Sequence, residues 1–512
     1  MMLKFILLLV VYLVCGDSSY DSMREKWLRE KCDRQIGGKM NLTEKEKRVD
    51  EILNVAKSKL YSTTQFPPAT NQFPPATNFL EANVTDWEET SLFKLLKPFP
   101  KGAVLHIHVD AQLTGRFMVG NATYDSDCFV CGDVVKTQDI TFRYFADKTV
   151  NQSSCNHDAG WRRVNDLRDK YGDSVEFDRL LSQSMTIYLP QNQRYDDVFP
   201  TVNDAWNSFQ PIFTVMQGLF LFRPFHEIYA DESMRLLSED NVQYVELRAD
   251  LVDFVLYEKN QTEHKDMFMS IWEKAAKKYG IGVKFIQTTL RQSDPDVVEA
   301  KLARTQELRE KNSNIVAFDL VGQEDPGRPL IDFVDVFENE KYQDIPRVFH
   351  AGETKWNGFD ADQNILDAVL LNTSRIGHGF NLNRWPHVSA EVKSRGIAVE
   401  VNPISNQVLG LVKDLRDHPL VKFLSQGMPV VLSPDDPGLW GISGVTYDWF
   451  VSFLIFGDHI PSCSSGISIL KQLALNSMSF NFMNNTERDA AVSEWSVRWD
   501  RYLNSVIDGA IL

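Results

Sequence analysis

Four histidines and a pair of adjacent aspartates stand where apolar runs end. His106 and His108 close one run, and His350 leads into Ala351-Gly352-Glu353. His378 ends another run, and Asp435-Asp436 follows a last one. Residues i and i+2 of a strand face one side, so His106-x-His108 presents two imidazoles together. Neutral imidazole binds metal ions. With His350 and Asp435 the set becomes three nitrogens and one oxygen, a credible shell for one zinc ion. Four protein ligands ordinarily make a structural zinc, so catalysis would require a further open position. Glu353, one short turn past His350, can trade protons with a group held at that ion. Each histidine taken singly also fits a buried neutral core position, and His350 with Glu353 also fits a satisfied polar pair. The weight lies in the whole set.

Something must bring these residues to one place. Eight short β-rich runs, at 104–108, 242–248, 283–288, 315–320, 348–351, 375–378, 397–401 and 430–432, alternate with longer segments, most of helical texture. That alternation predicts an α/β chain folded as a (β/α)8 barrel of the TIM type, whose active face is the C-terminal end of its strands. Besides the histidines and aspartates, those ends carry Arg248, Arg291, Asp319, Gly322, Glu353, Glu400 and Asn402. A doubly wound open sheet is the alternative, but no Gly-x-Gly-x-x-Gly follows a strand. Residues 101–512 form the expected barrel. Residues 121–189 are too long and too aperiodic for one crossover and read as an inserted subdomain after the first strand. Residues 17–100 read as an N-terminal helical extension, with Val49, Ile52, Leu53 and Ala56 at helical spacing.

The chain has 512 residues and a formal net charge of −16. That sign argues against nucleic acid and anionic membranes as partners. Lys4, the apolar run that follows it and the small residue Gly16 predict a signal peptide over 1–16, hence a secreted, extracellular protein with no membrane span. Sequons at Asn41, Asn83, Asn121, Asn151, Asn260, Asn372 and Asn484 permit glycosylation. Cys32, Cys128, Cys131, Cys155 and Cys463 remain after the signal. In a secreted chain Cys128-x-x-Cys131 reads as part of a disulfide framework with Cys155 rather than a zinc or redox motif. The odd count leaves a thiol free or paired between chains. His157, His226, His264, His387, His418 and His459 read as surface or core positions. Cytidine-type deaminases use His-x-Glu with Pro-Cys-x-x-Cys, and metalloproteases His-Glu-x-x-His; neither spacing occurs.

His106-Ile-His108-Val-Asp110, His350-Ala-Gly-Glu353, Ile376-Gly-His-Gly379, Asn402-Pro-Ile-Ser-Asn-Gln407 and Ser433-Pro-Asp-Asp436 resemble, in order, the motifs of the adenosine deaminase family. The layout of the mature chain resembles its secreted branch, the adenosine deaminase-related growth factors. The resemblance implies zinc-dependent deamination of adenosine and 2′-deoxyadenosine. It implies His106, His108, His350 and Asp435 as zinc ligands and Glu353 as the acid that protonates purine N1. His378 would hold the attacking water and relay its proton. Asp436 would meet N7, the Gly322 backbone N3, Trp206 the substrate and Asp110 the ribose 5′-hydroxyl. It also implies a Cys131–Cys155 disulfide and a homodimer built through residues 17–100. Leu290 departs from the pattern, standing where a histidine is common. The chemistry agrees with the resemblance: replacing an exocyclic amine by oxygen needs a hydroxide at neutral pH, which a metal can generate. Two other readings use the same residues. One is a receptor-binding growth factor whose barrel is a scaffold, with a cell-surface receptor as partner; the other is a different amidohydrolase chemistry on the same shell.

Overall fold

The computed structural model describes residues 20–62, 77–136, 138–145, 155–158, 160–251, 255–257, 263–264, 267–456 and 466–511. A parallel strand occupies each of the eight β-rich runs: β1 Gly102–His108, β2 Val242–Ala249, β3 Gly282–Leu290, β4 Ile315–Val321, β5 His350–Ala351, β6 Arg375–His378, β7 Ala398–Val401 and β8 Val430–Leu432. They pair in chain order as two four-stranded sheets, β1 to β4 and β5 to β8. Backbone bridges join the sheets at both seams. Phe318 pairs with Arg347 just ahead of β5, and Ile107 pairs with Asp435 just past β8. At the second seam the His108 amide donates to Asp435 O and the Asp435 amide to His106 O, each at 3.2 Å. With neither edge left open the sheet is a barrel. The open-sheet alternative is therefore rejected.

Strand alternation sorts the interior into layers. On β2, Val245 and Leu247 pack outward into the main apolar core, so Tyr244, Glu246 and Arg248 face inward. The floor of the barrel is apolar: Ala103, Leu105, Tyr244, Ala398 and Val431 pack on Met478 and Met483. Beside them Ile286, Ala317 and Val348 pack on Phe482. A layer of charge lies above this floor. Arg248 donates from Nε to Asp319 at 2.8 Å, from Nη2 to Glu400 at 2.6 Å and from Nη1 to Leu105 O at 2.7 Å. Arg375 donates to Glu400 at 2.6 Å and to Glu246 at 2.5 Å. All five side chains are buried.

Ahead of the barrel, α1 spans Tyr20–Arg34 and α2 spans Glu44–Ser62. Val49, Leu53, Ala56 and Leu60 of α2 are buried against the C-terminal helices Gly466–Ser479 and Asn485–Ile507. Between β1 and β2 the chain folds a three-stranded antiparallel sheet from Cys128–Gly132, Ile140–Tyr144 and Arg162–Arg163. Val130, Phe142 and Tyr144 join the main core. Phe129, Phe145 and Trp161 form a separate cluster around Cys131 and Cys155, which are disulfide-bonded. This is the pairing that the resemblance implies. Cys32 is also disulfide-bonded, and buried Cys128 is the free thiol among the described residues. The signal region 1–16, Asn151, Asn260 and Cys463 lie outside the described residues. Asn41, Asn83, Asn121, Asn372 and Asn484 are exposed. No helix among the described residues is long and apolar enough to cross a membrane.

Two predictions follow from these contacts. Removing the staple with Cys131→Ser should cost the small sheet about 2–4 kcal/mol. Hydrogen exchange should then quicken in its strands and not in β1–β8; unchanged protection of Cys128–Gly132 would contradict this. Arg248→Met strips buried Asp319 of its guanidinium and leaves Glu400 with Arg375 alone, and breaking a buried pair in this way typically costs about 3–5 kcal/mol. Urea unfolding that matches wild type would show that the charge layer does not depend on this guanidinium.

Candidate active site

Local backbone features, invisible in the apolar pattern, turn the functional side chains inward. β1 is bulged between Val104 and Ile107. Val104 and Ile107 pack outward and Leu105 inward, so the extra residue lets His106 as well as His108 reach the interior. Ser433 Oγ holds the bulge, accepting the amides of Leu105 at 3.3 Å and His106 at 3.1 Å. A Cβ at Gly377 would stand 3.1 Å from His106 Cε1, so glycine leaves the ring its space. His378 and Asp435 adopt left-handed backbone, with φ of 59° and 63°. Such a conformation costs a non-glycine residue roughly 1–3 kcal/mol, and it recurs at functional sites.

These features converge the predicted metal residues. His106, His350, His378 and Asp435 each offer a ligand atom within 4.8 Å of the others, and His108, Asp435 and Asp436 form a second group on the same terms. Asp435 Oδ1 lies 3.1 Å from His106 Nε2 and 3.3 Å from His108 Nε2. Asp435 Oδ2 accepts from Ser405 Oγ at 2.7 Å and stands 3.7 Å from His378 Nε2. Burial alone would raise the Asp435 carboxyl, but the imidazoles around it hold it well below the usual range.

The charge layer sets two of the rings. His106 Nδ1 meets Glu400 at 2.7 Å and His350 Nδ1 meets Asp319 at 2.7 Å. A carboxylate only accepts, so each Nδ1 carries the hydrogen and leaves the Nε2 lone pair for the site. Burial pulls His350 down to about 4 against the opposing pull of the facing Asp319, which favours the neutral imidazole at pH 7. His106 Nε2 and Asp435 Oδ1 are buried and have no hydrogen-bond partner. Buried polar atoms are seldom orphaned, and a cation between them would satisfy both. The donor set therefore fits a metal ion.

Glu353 is positioned by a residue that the sequence did not single out. Buried Glu324 accepts the Gly352 amide at 3.0 Å, the Glu353 amide and the Asn364 side chain at 2.7 Å. Burial, with Asp435 and Glu324 nearby, lifts the Glu353 carboxyl well above its ordinary range. Burial thus favours its protonated form. Its Oε1 lies 3.6 Å from His378 Nδ1.

A cavity of about 420 Å³ opens over this cluster. His108, His350, Glu353, His378 and Asp435 line it, as do the predicted substrate residues Asp110, Trp206, Gly322 and Asp436, while His106 lies beneath. Trp206 comes from helix α3, Val202–Phe220, and packs edge-on to Phe209. The turn carrying Asp110 is pinned by Tyr229, whose hydroxyl accepts the amides of Gln112 and Leu113 at 2.9 and 3.1 Å. Burial raises the Asp436 carboxyl well above its ordinary value, and Asp435 adds to the effect. Sequence reading missed Gln210, Gln217, Asp250 and Thr288 in the wall. It also missed Ser405, Asn406 and Glu324 around the catalytic groups. The Ser405-Asn406 pair lay within a quoted motif; Glu324 carried no local signal.

The chain matches two family descriptions, Adenosine deaminase over residues 181–494 and Adenosine/AMP deaminase N-terminal over residues 5–96. It is 33% identical to adenosine deaminase 2-A of Danio rerio, over 97% of this chain and 96% of that one. It is also 33% identical to adenosine deaminase 2 of Homo sapiens, over 98% and 97%. Among solved structures, an amidohydrolase from Burkhoderia ambifaria with bound Zn superposes with a TM-score of 0.52 at 18% identity, covering 81% of this chain and 95% of that one. The N6-mAMP deaminase of Arabidopsis superposes with a TM-score of 0.53 at 14% identity, covering 78% and 99%. At those identities the superpositions speak for the fold. The matching domains and the near full-length relatives establish that this chain is a member of the adenosine deaminase family.

Proposed function

We propose that the protein hydrolyses the C6 amine of adenosine and 2′-deoxyadenosine, releasing inosine or 2′-deoxyinosine and ammonia. One zinc ion would be held by His106, His108, His350 and Asp435. One observation carries the reading: a metal-fitting histidine–aspartate cluster and a buried carboxyl, Glu353, whose protonated form burial favours, share a single nucleoside-sized cavity.

A zinc ion held by those residues would lower the pKa of a bound water from 15.7 toward about 7 and so supply the nucleophile. The chain's residues do the rest. Attack at C6 pushes charge onto N1, and Glu353, whose protonated form burial favours, donates there. Burial and Asp435 also favour protonated Asp436, which can then donate to N7, a group that only accepts. The Gly322 backbone would meet N3, and Trp206 covers the base. Asp110 would accept from the ribose 5′-hydroxyl. His378 orients the attacking water beside Asp435. Asp110 and Asp250 face the same cavity, and among the described residues its one lining arginine, Arg248, is spent on Asp319 and Glu400. A 5′-phosphate would meet carboxyls and no free lining cation among the described residues, so nucleosides are preferred to AMP.

Secretion is supported by the N-terminal apolar run, the disulfides and the five exposed sequon asparagines. A homodimer through the N-terminal region is supported by α1, which leaves Tyr20, Met23 and Trp27 exposed. Light scattering that finds a single chain in solution would end the dimer reading.

The direct test mixes purified, zinc-loaded protein with adenosine and follows the shift of its ultraviolet spectrum to that of inosine. AMP should be turned over with far lower kcat/KM, and equal efficiency would overturn the nucleoside preference. Glu353→Gln keeps the side-chain shape but loses the carboxyl proton. It should retain zinc and lower kcat by at least the roughly 10²–10⁴-fold of a positioned general acid. Loss of zinc in that variant would make Glu353 a support of the metal shell instead.

A further inference from the structure

His418, outside the pocket wall, is buried with Asn406 behind His378. The three side chains form one line. The Leu420 backbone amide donates to His418 Nδ1 at 3.0 Å. Nδ1 is thereby an acceptor, so His418 is neutral with its hydrogen on Nε2. That Nε2 meets Asn406 Oδ1 at 2.9 Å. The asparagine oxygen is thus committed, and its nitrogen is turned to His378 Nδ1, again at 2.9 Å. An amide nitrogen only donates, so His378 Nδ1 must accept. The hydrogen of His378 then sits on Nε2, the nitrogen that faces Asp435 Oδ2.

Two other groups approach His378 Nδ1, and neither competes. Asn402 is satisfied when its amide nitrogen donates to Ser433 O at 3.1 Å and Val401 O at 3.3 Å. Its oxygen then faces Nδ1 from 3.5 Å, the outer limit of a hydrogen bond. Glu353 Oε1 is farther, at 3.6 Å.

We propose that His418 and Asn406 are positioning residues that hold His378 as its neutral Nε2–H tautomer. His378 then presents a donor to the pocket, and neither a basic nitrogen nor a lone pair for a metal. It orients the attacking water without accepting its proton; that proton replaces the one Glu353 gives to N1, and the remaining O–H proton leaves with the amine as ammonia, a course that differs from the relay role implied by the resemblance. It also stays out of the metal shell, leaving His108 as the third histidine ligand. The tautomer rests on hydrogen-bond direction alone. Its consequence for turnover rests on the deaminase reading.

The test uses the full zinc-loaded chain. In protein labelled with ¹⁵N-histidine, long-range ¹H–¹⁵N correlation spectra should find the His378 hydrogen on Nε2, the signal being assigned by its loss in His378→Gln. Asn406→Asp keeps the shape but replaces the donor by an acceptor, so the hydrogen should move to Nδ1. With zinc content and KM unchanged, kcat should fall at least about 10²-fold; tautomer reversal in a catalytic triad costs about 10⁴. His418→Asn keeps a helix-capping side chain too short to reach Asn406, whereas His418→Gln returns a nitrogen donor near the place of Nε2. The first should lose kcat and the second recover it. Three results would each overturn the proposal: a wild-type His378 protonated on Nδ1, an Asn406→Asp variant with wild-type kcat, or equal losses in the two His418 variants. A wild type inactive on adenosine would sink the deaminase reading, and the spectrum would still decide the tautomer.

Discussion

The arrangement depends on one buried cation shared between two acids. Arg248 spans the barrel interior and binds Asp319 and Glu400 at once, and each of those carboxylates holds the Nδ1 of a metal-site histidine. Without that guanidinium, Asp319 would sit in a low-dielectric core with no arginine beside it and Glu400 would keep only Arg375, so both would shift toward their neutral forms, Asp319 the more. A neutral carboxyl can donate as well as accept, so it no longer dictates which imidazole nitrogen carries the hydrogen. Arg375 performs the same service for Glu400 and Glu246 one level down. The charge layer is thus weak evidence of stability for its own sake. Its use is to fix the orientation and protonation of the rings above it.

The upper layer is built against local preference. Left-handed backbone at His378 and Asp435, and a bulge in β1 held by Ser433, all raise the energy of the chain locally. The barrel bears this because its outer shell is a continuous apolar core, drawn from every strand and most of the helices. Strain confined to strand ends leaves that shell intact. It also accounts for the tight second seam, where Asp435 is at once a barrel closure and the central carboxylate of the site.

Neighbouring acids in the pocket are driven to opposite states. Asp435 faces imidazoles that favour its ionised form, while Asp436, one residue on, is pushed toward its protonated form by burial and by the charges of Asp435 and Asp110. Glu353 belongs with Asp436, raised by burial and by the charge of Asp435. One carboxylate for a cation and two carboxylic acids for a purine ring come from three residues of nearly the same intrinsic acidity. Environments that separate such groups assign their roles.

Much of this was legible in the chain. Eight β-rich runs separated by longer segments led to a barrel, because a strand's length and spacing are local properties. Residues at the ends of those runs include nearly every group with a part in the chemistry, because the barrel gathers strand ends at one face. The order of five motifs, matched as a resemblance, led to the reaction and to the Cys131–Cys155 pairing. What the chain could not disclose is long-range. Glu246, Arg375 and Glu324 are ordinary charged residues in sequence; strand register brings the first two under the site, and hydrogen bonds from the Gly352 and Glu353 amides hold Glu324 behind it. Barrel closure rests on a bridge between Ile107 and Asp435, residues 328 apart. His418 read as a plain buried or surface position, because its meaning lies in the direction of two hydrogen bonds to groups supplied by other segments. Residue type and spacing determined which chemistry was available; only the folded chain decided which nitrogen carries the proton, since that choice is made by neighbours that are distant in sequence.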